Sequence, residues 1–478
     1  MRTQFKALVL GALVLTACGG GGSGPPVPGY RINAVVTGLT SVTGLSLQDN
    51  GSDTLTFSTS GTQAFATAVQ RGLTYDVTIL TQPAGYTCSV LNGSGTVTDA
   101  TVFVTVACPW HVGYAPSSQG VLAYYIDQST GATSALAENP FPAGANPAAI
   151  AISPAAGFLY VANQGDNTVS AFTINLVDGS LSAIAGSPFA VGTTPVAIAI
   201  DPQGKFVYVA NAGSNNLSAF TIDASTGALT PVTNSPFATG ASPAGLMVSY
   251  LTVASGGFIY AAYGGSTQVS SAKAYIAAFT ADPTTGVLSP VAGSPFTVSP
   301  PAGYQSTGAF AIQPQGNFLF VGFIGSFGMP VNGGVEIESI DSGTGALAPI
   351  AGSPFAASLA ITSLIVDRTG AFLFAGNSDD AAIYGFAIDP TTGVLTAAGS
   401  YPAGTFPAVA SIDPSNQYLY APGVPGNAYP YAPGGSQGNA NTSSPYSINA
   451  TTGALTPFLN GTVSTIDNAA PVAFSTTP

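Results

Sequence analysis

The 478-residue chain has seven Lys and Arg, 20 Asp and Glu, and one histidine, so few side chains can do chemistry. Hydrolysis needs a base to take a proton from water and a donor or cation to steady the developing oxyanion. By type and position Glu338 is the best-placed base. It stands where equivalent segments carry Phe172, Phe220, Phe279 and Phe386, so its carboxylate could face an interior and be poised by desolvation. The competing reading is a register slip in an irregular segment that leaves Glu336 and Glu338 in solvent, and the pattern favours it. Lys273 is the cation that could accompany such a base. His111 aligns with Leu159, Val207, Ile259, Leu319, Leu373 and Leu419, an apolar strand position. It reads as a histidine tucked between the first repeat unit and the preceding domain, rather than as a catalyst.

Other chemistries find no support. There is no G-x-S-x-G nucleophile elbow. Metal-ligand spacing is missing, so neither metal nor cofactor is expected. "NQGDNT" (163–168) and "GNSDDA" (376–381) gather acidic residues, but each falls where a tight hairpin turn is needed. Net charge is −13, and losing an N-terminal segment with Arg2 and Lys6 would leave −15. The five remaining cations form no basic patch, which argues against nucleic acid and against electrostatic attachment to anionic lipid.

The start, "MRTQFKALVLGALVLTACGGGGSGPP", has two cations, a short apolar run and small residues before a break, the pattern of a secretory signal peptide. Its Leu-x-Ala-Cys ending resembles the bacterial lipobox. That resemblance implies cleavage after residue 17, acylation of Cys18 and a Gly/Ser/Pro tether over 18–29. Gly19 after the cysteine favours outer-membrane sorting. Export permits disulfides, and Cys88 and Cys108 are expected to bond to each other.

These residues must be held by strands. Charged residues are only 6% of the chain, 46% are apolar, and Gly (59) and Pro (37) punctuate β-branched runs. Residues 30–109 read as a small antiparallel β-sandwich, similar to the Ig-like modules of bacterial surface lipoproteins. Residues 110–478 repeat. A TG-type marker recurs at Gly131, Gly179, Gly227, Gly286, Gly345, Gly393 and Gly453. A (S/N)PF marker recurs at Phe141, Phe189, Phe237, Phe296 and Phe355. Four short strands per unit, seven times over, is the pattern of a seven-bladed β-propeller. The first unit starts at its second strand, and the tail "APVAFSTTP" (470–478) reads as the missing first strand, closing the ring.

"LYVAN", "VYVAN", "SAFTID", "TGALTPV" and "GSPFATG" resemble the YVTN-type, lactonase-like propellers, which include a 6-phosphogluconolactonase. The resemblance implies the fold over 110–478 and, as one option, lactone hydrolysis by arginine with carboxylate or histidine. Lys205 and Arg368 fall in turns on the face opposite the expected binding face, and only Lys273 falls in a turn on it. Insertions in blades four, five and seven bring Tyr263, Tyr275, Phe323, Phe327, Tyr429 and Tyr431 beside uncharged polar residues. Such aromatic platforms suit a neutral sugar or a protein surface. The expected function is therefore a non-enzymatic binding or scaffold module for carbohydrate or envelope protein, monomeric and held at the membrane by its lipid. A lactonase-type hydrolase is the alternative.

Overall fold

The structure is a computed structural model. It describes residues 29–476 apart from 40–43, 84–87, 99, 109–110, 128–130, 132, 156, 176–177, 241–246, 265–273, 299–303, 326–332, 357–360, 378–380, 404–410, 414, 423–441, 458–462 and 465–472. The long regular elements among them are all strands. No helix there is long and apolar enough to cross a membrane.

The first strands form two four-stranded sheets over one core, with Gly29–Tyr30 and Val69–Gln70 paired as a short third sheet. One sheet runs Gly61–Ala64, Ile32–Thr37, Val102–Ala107, Ser89–Leu91; the other Asp53–Phe57, Leu45–Asp49, Thr74–Thr81, Ser94–Thr96. Alternation does the folding: Ile32, Ala34 and Val36 point inward and meet Leu45, Leu47, Val104 and Val106. Cys88 and Cys108 are bonded, with S–S 2.05 Å. The expectation of an all-antiparallel sandwich is corrected, because Val102–Ala107 pairs parallel to Ile32–Thr37. The strands between them supply the long crossover that parallel pairing needs, so the chain enters at one end and leaves at the other.

Seven further sheets follow, each built from consecutive strands except the first. Blade two shows the unit: Pro147–Ile152, Phe158–Asn163, Thr168–Ile174 and Leu181–Ala183 in antiparallel order. Such a sheet has two apolar faces and cannot stand alone, so neighbours cover both. Phe172 and Ile174 pack on blade one's Tyr114, Val121 and Phe141. Tyr160, Val169 and Ala171, on the other face, pack on blade three's Val207 and Phe220. Blade one takes its first strand from the C-terminus: Ala473–Thr476 pairs antiparallel with His111–Ser117, as expected.

Each sequence marker has a structural cause. The TG glycines adopt left-handed φ, +72° at Gly227, and a β-carbon there would collide with the Phe158 ring of the preceding blade. The serine of S-P-F accepts a hydrogen bond from a third-strand amide, as from Ala219 N to Ser235 Oγ at 2.9 Å. Its Ser–Pro bond is cis, and Phe237 then resumes pairing with Leu217. Blade six lacks this marker, and its outer strand Leu395–Pro402 pairs along the whole third strand instead. Tyr160 of "YVAN" and Tyr260 in the same column of blade four staple successive blades: Tyr160 Oη donates to the Gly227 carbonyl at 2.8 Å and Tyr260 Oη to that of Gly345 at 2.9 Å.

Candidate functional site

Strands in a blade alternate in direction, so the turns between strands two and three share a face with the connections between blades. Turns between strands one and two lie on the opposite face. Blade five's third strand, Gly334–Ile340, starts at the first face, where the insertion read over 323–334 ends. Its register is regular. Glu338 pairs with Leu319 as Phe172 pairs with Leu159, Phe220 with Val207 and Phe386 with Leu373. The favoured expectation of a slipped, solvated pair is therefore corrected: Glu336 is 6% and Glu338 4% exposed.

Both carboxylates lie on one side of the strand, two residues apart, on the side that faces blade four. The seam there is apolar, built from Tyr260, Ala262, Ile276, Ala278 and Val291 with Leu319 and Val321. Burial pushes the Glu338 carboxyl up to about 7, and the neighbouring Glu336 charge adds to the shift. Burial also raises Glu336, opposed by a hydrogen bond from Ser353. Glu336 Oε2 has no hydrogen-bond partner. A carboxyl titrating near neutrality can take a proton from water at working pH, which is what a general base requires.

Two aromatics expected on the surface are core residues. Tyr263 is 0% and Phe323 2% exposed, a correction to the platform they were read as forming. Both occupy the sixth position of a second strand, where blades two, three and six carry Asn163, Asn211 and Asn377. In blade two the Asn163 amide donates to Ser170 Oγ at 2.9 Å. In blade four the longer ring fills that site, and Tyr263 Oη donates to the Thr239 carbonyl at 2.6 Å. Tyr275 is half-buried and sits across the ladder from Tyr263. Lys273, Phe327, Tyr429, Tyr431 and Cys18 lie outside the described residues.

His111 takes part in ring closure, paired with Thr476. It is 7% exposed, and its Nδ1 lies 3.5 Å from Asp413 Oδ2 of blade seven. Asp413 also accepts from the amides of Gln417 and Tyr418, at 2.9 and 2.7 Å. Burial alone would raise its pKa; His111, Ser415 and the backbone amides outweigh that and hold it below the ordinary value. Arg368 Nε donates to the Asp413 carbonyl at 3.0 Å, tying blade six to blade seven. The sequence carries a signal for this cluster: an aspartate five residues before an aromatic, at Asp201, Asp367 and Asp413. Among the described residues no three His, Cys, Asp or Glu are grouped to hold a metal.

The family model described as "Lactonase, 7-bladed beta-propeller" matches residues 123–244, from the third strand of blade one through blade three. No curated protein matches the chain by sequence. Among solved structures, a candidate 6-phosphogluconolactonase from Bacteroides uniformis is 21% identical with TM-score 0.57, covering 77% of this chain and 99% of its own. A second from Bacteroides fragilis gives 18% and 0.57, covering 77% and 98%. The periplasmic gluconolactonase of Pseudomonas aeruginosa gives 17% and 0.53, covering 77% and 100%. At these identities the likeness is one of fold. By sequence match and by architecture, then, the chain carries a lactonase-like β-propeller.

Proposed function

We propose that the propeller is a lactonase-type hydrolase for an uncharged lactone, with Glu338 as general base. The observation that carries this reading is a carboxyl titrating near 7 in a propeller of lactonase-like build. Water attacks the lactone carbonyl carbon, a C–O bond forms, the ring C–O bond breaks, and the proton passes from water through Glu338 to the leaving alkoxide. A neutral substrate is favoured over a phosphorylated one because the described propeller cations, Lys205 and Arg368, sit in turns on the opposite face. The test is hydrolysis of glucono-δ-lactone by the full chain. Wild type should turn over, and Glu338→Gln should lose about 100-fold or more in kcat. Equal rates for the two would remove Glu338 from the chemistry.

A second reading, a non-enzymatic module binding carbohydrate or protein, is favoured by the burial of Glu338, which leaves little carboxyl surface for a substrate. Absence of turnover together with glycan retention would select it. We further infer export and acylation of Cys18, with the sandwich as a spacer whose entry and exit lie at opposite ends. The Cys88–Cys108 disulfide supports an oxidising compartment. Palmitate labelling should disappear in Cys18→Ser.

A further inference from the structure

The seam between blades four and five differs in chemistry from its repeats. Where the corresponding third strands have Ser170 and Phe172, or Ser218 and Phe220, this one has Glu336 and Glu338. Two carboxylates on the same side of one strand, closed in by a hydrophobic cluster, repel each other when both are charged. The strands of these two blades contain no lysine, arginine, histidine or aspartate to offset them. Their remaining titratable side chains are tyrosines. Of these, Tyr260 faces the seam with its hydroxyl committed to Gly345, and Tyr250 stacks on Phe310 at 5.8 Å. Asp341, past the strand's end, caps its own exposed turn through Thr344 N at 2.8 Å. Lys273, in the adjoining insertion, is outside the described residues.

We propose that this seam is a proton-controlled joint in the ring: blades four and five pack tightly while the Glu336–Glu338 pair keeps a proton, and loosen relative to the other blades when it is lost. The proposal goes beyond catalysis, since it concerns packing without substrate. The sign follows from linkage. Glu338 binds its proton more tightly folded than unfolded, so its stabilising share is complete below the unfolded pKa of 4.5 and is lost as pH rises towards about 7.

Amide hydrogen exchange of the full chain, corrected for intrinsic rates, tests this without lactone present. Between pH 5 and 7 the opening constant for Ala274–Ala281 and Gly334–Ile340 should rise by up to about tenfold per pH unit, while Phe158–Asn163 and Phe206–Asn211 stay flat. Glu338→Gln should flatten the slope. Glu336→Ser with Glu338→Phe, which restores the residues of blades two and three, should raise the melting temperature at pH 8. Should the double variant not fold, the single one decides. A slope shared by all seven blades, or one that persists in Glu338→Gln, overturns the proposal. Turnover lost in Glu338→Gln with an unchanged exchange slope would separate failure here from failure of the catalytic reading.

Discussion

At the residue scale, two substitutions in a repeating column define what is particular to this chain. Glu338 was visible in the sequence as a glutamate in a phenylalanine column. Its burial was one of two readings there, and the choice was open because one strand's text does not say which blade covers it. Tyr263 and Phe323 misled for a related reason: they border insertions in sequence, yet the sixth residue of these second strands is buried in the fold. The TG glycines are held in left-handed φ. Gly227→Ala adds a β-carbon at φ +72° against Phe158 and Ile184, and should cost roughly 2–4 kcal/mol. Urea melts check this, and a change below about 0.5 kcal/mol would mean that the Phe158 contact yields.

At the element scale, the repeat carries its own fasteners. Tyr160→Phe removes the donor to the buried Gly227 carbonyl and should destabilise by about 1–2 kcal/mol. Tyr208 holds the same column, but its hydroxyl is buried without a partner, so Tyr208→Phe should be neutral or stabilising in the same denaturation assay. Equal losses in the two would contradict the staple. The outer turns behave alike. Asp223, Asp282, Asp341 and Asp389 accept hydrogen bonds from their own turn residues, which lowers each pKa, Asp223 to about 2. A lowered folded pKa gives stability present above the unfolded value of 3.8 and lost as pH falls through the folded value. Calorimetry should therefore show the melting temperature dropping below about pH 4. Asp223→Asn should blunt that drop with little effect at pH 7, since Asn449 already caps the same turn in blade seven through Thr452 N at 3.0 Å. The TG and (S/N)PF markers were legible in the sequence as spacings; the contacts behind them were not, because Phe158 lies in another blade from Gly227 and Ala219 in another strand from Ser235.

At the scale of the whole molecule, closure links what the chain's ends leave separate. Tyr420 Oη donates to the Gly131 carbonyl at 2.9 Å, joining blade seven to blade one across 289 residues. His111 approaches Asp413 beside it, and Asn416 Nδ2 reaches Asp367 Oδ2 of blade six at 2.9 Å. The seventh blade and the returning tail were readable because the first unit lacked a strand and the last segment supplied one. The His111–Asp413 contact was not, since nothing local in either segment names the other. The most direct measurement is thermal melting of the full chain and of one ending at residue 463, followed with amide exchange across His111–Ser117. The closed ring predicts that the shortened chain loses cooperative melting and that those amides become unprotected. An unchanged melting temperature with His111–Ser117 still protected would contradict closure by the C-terminal strand.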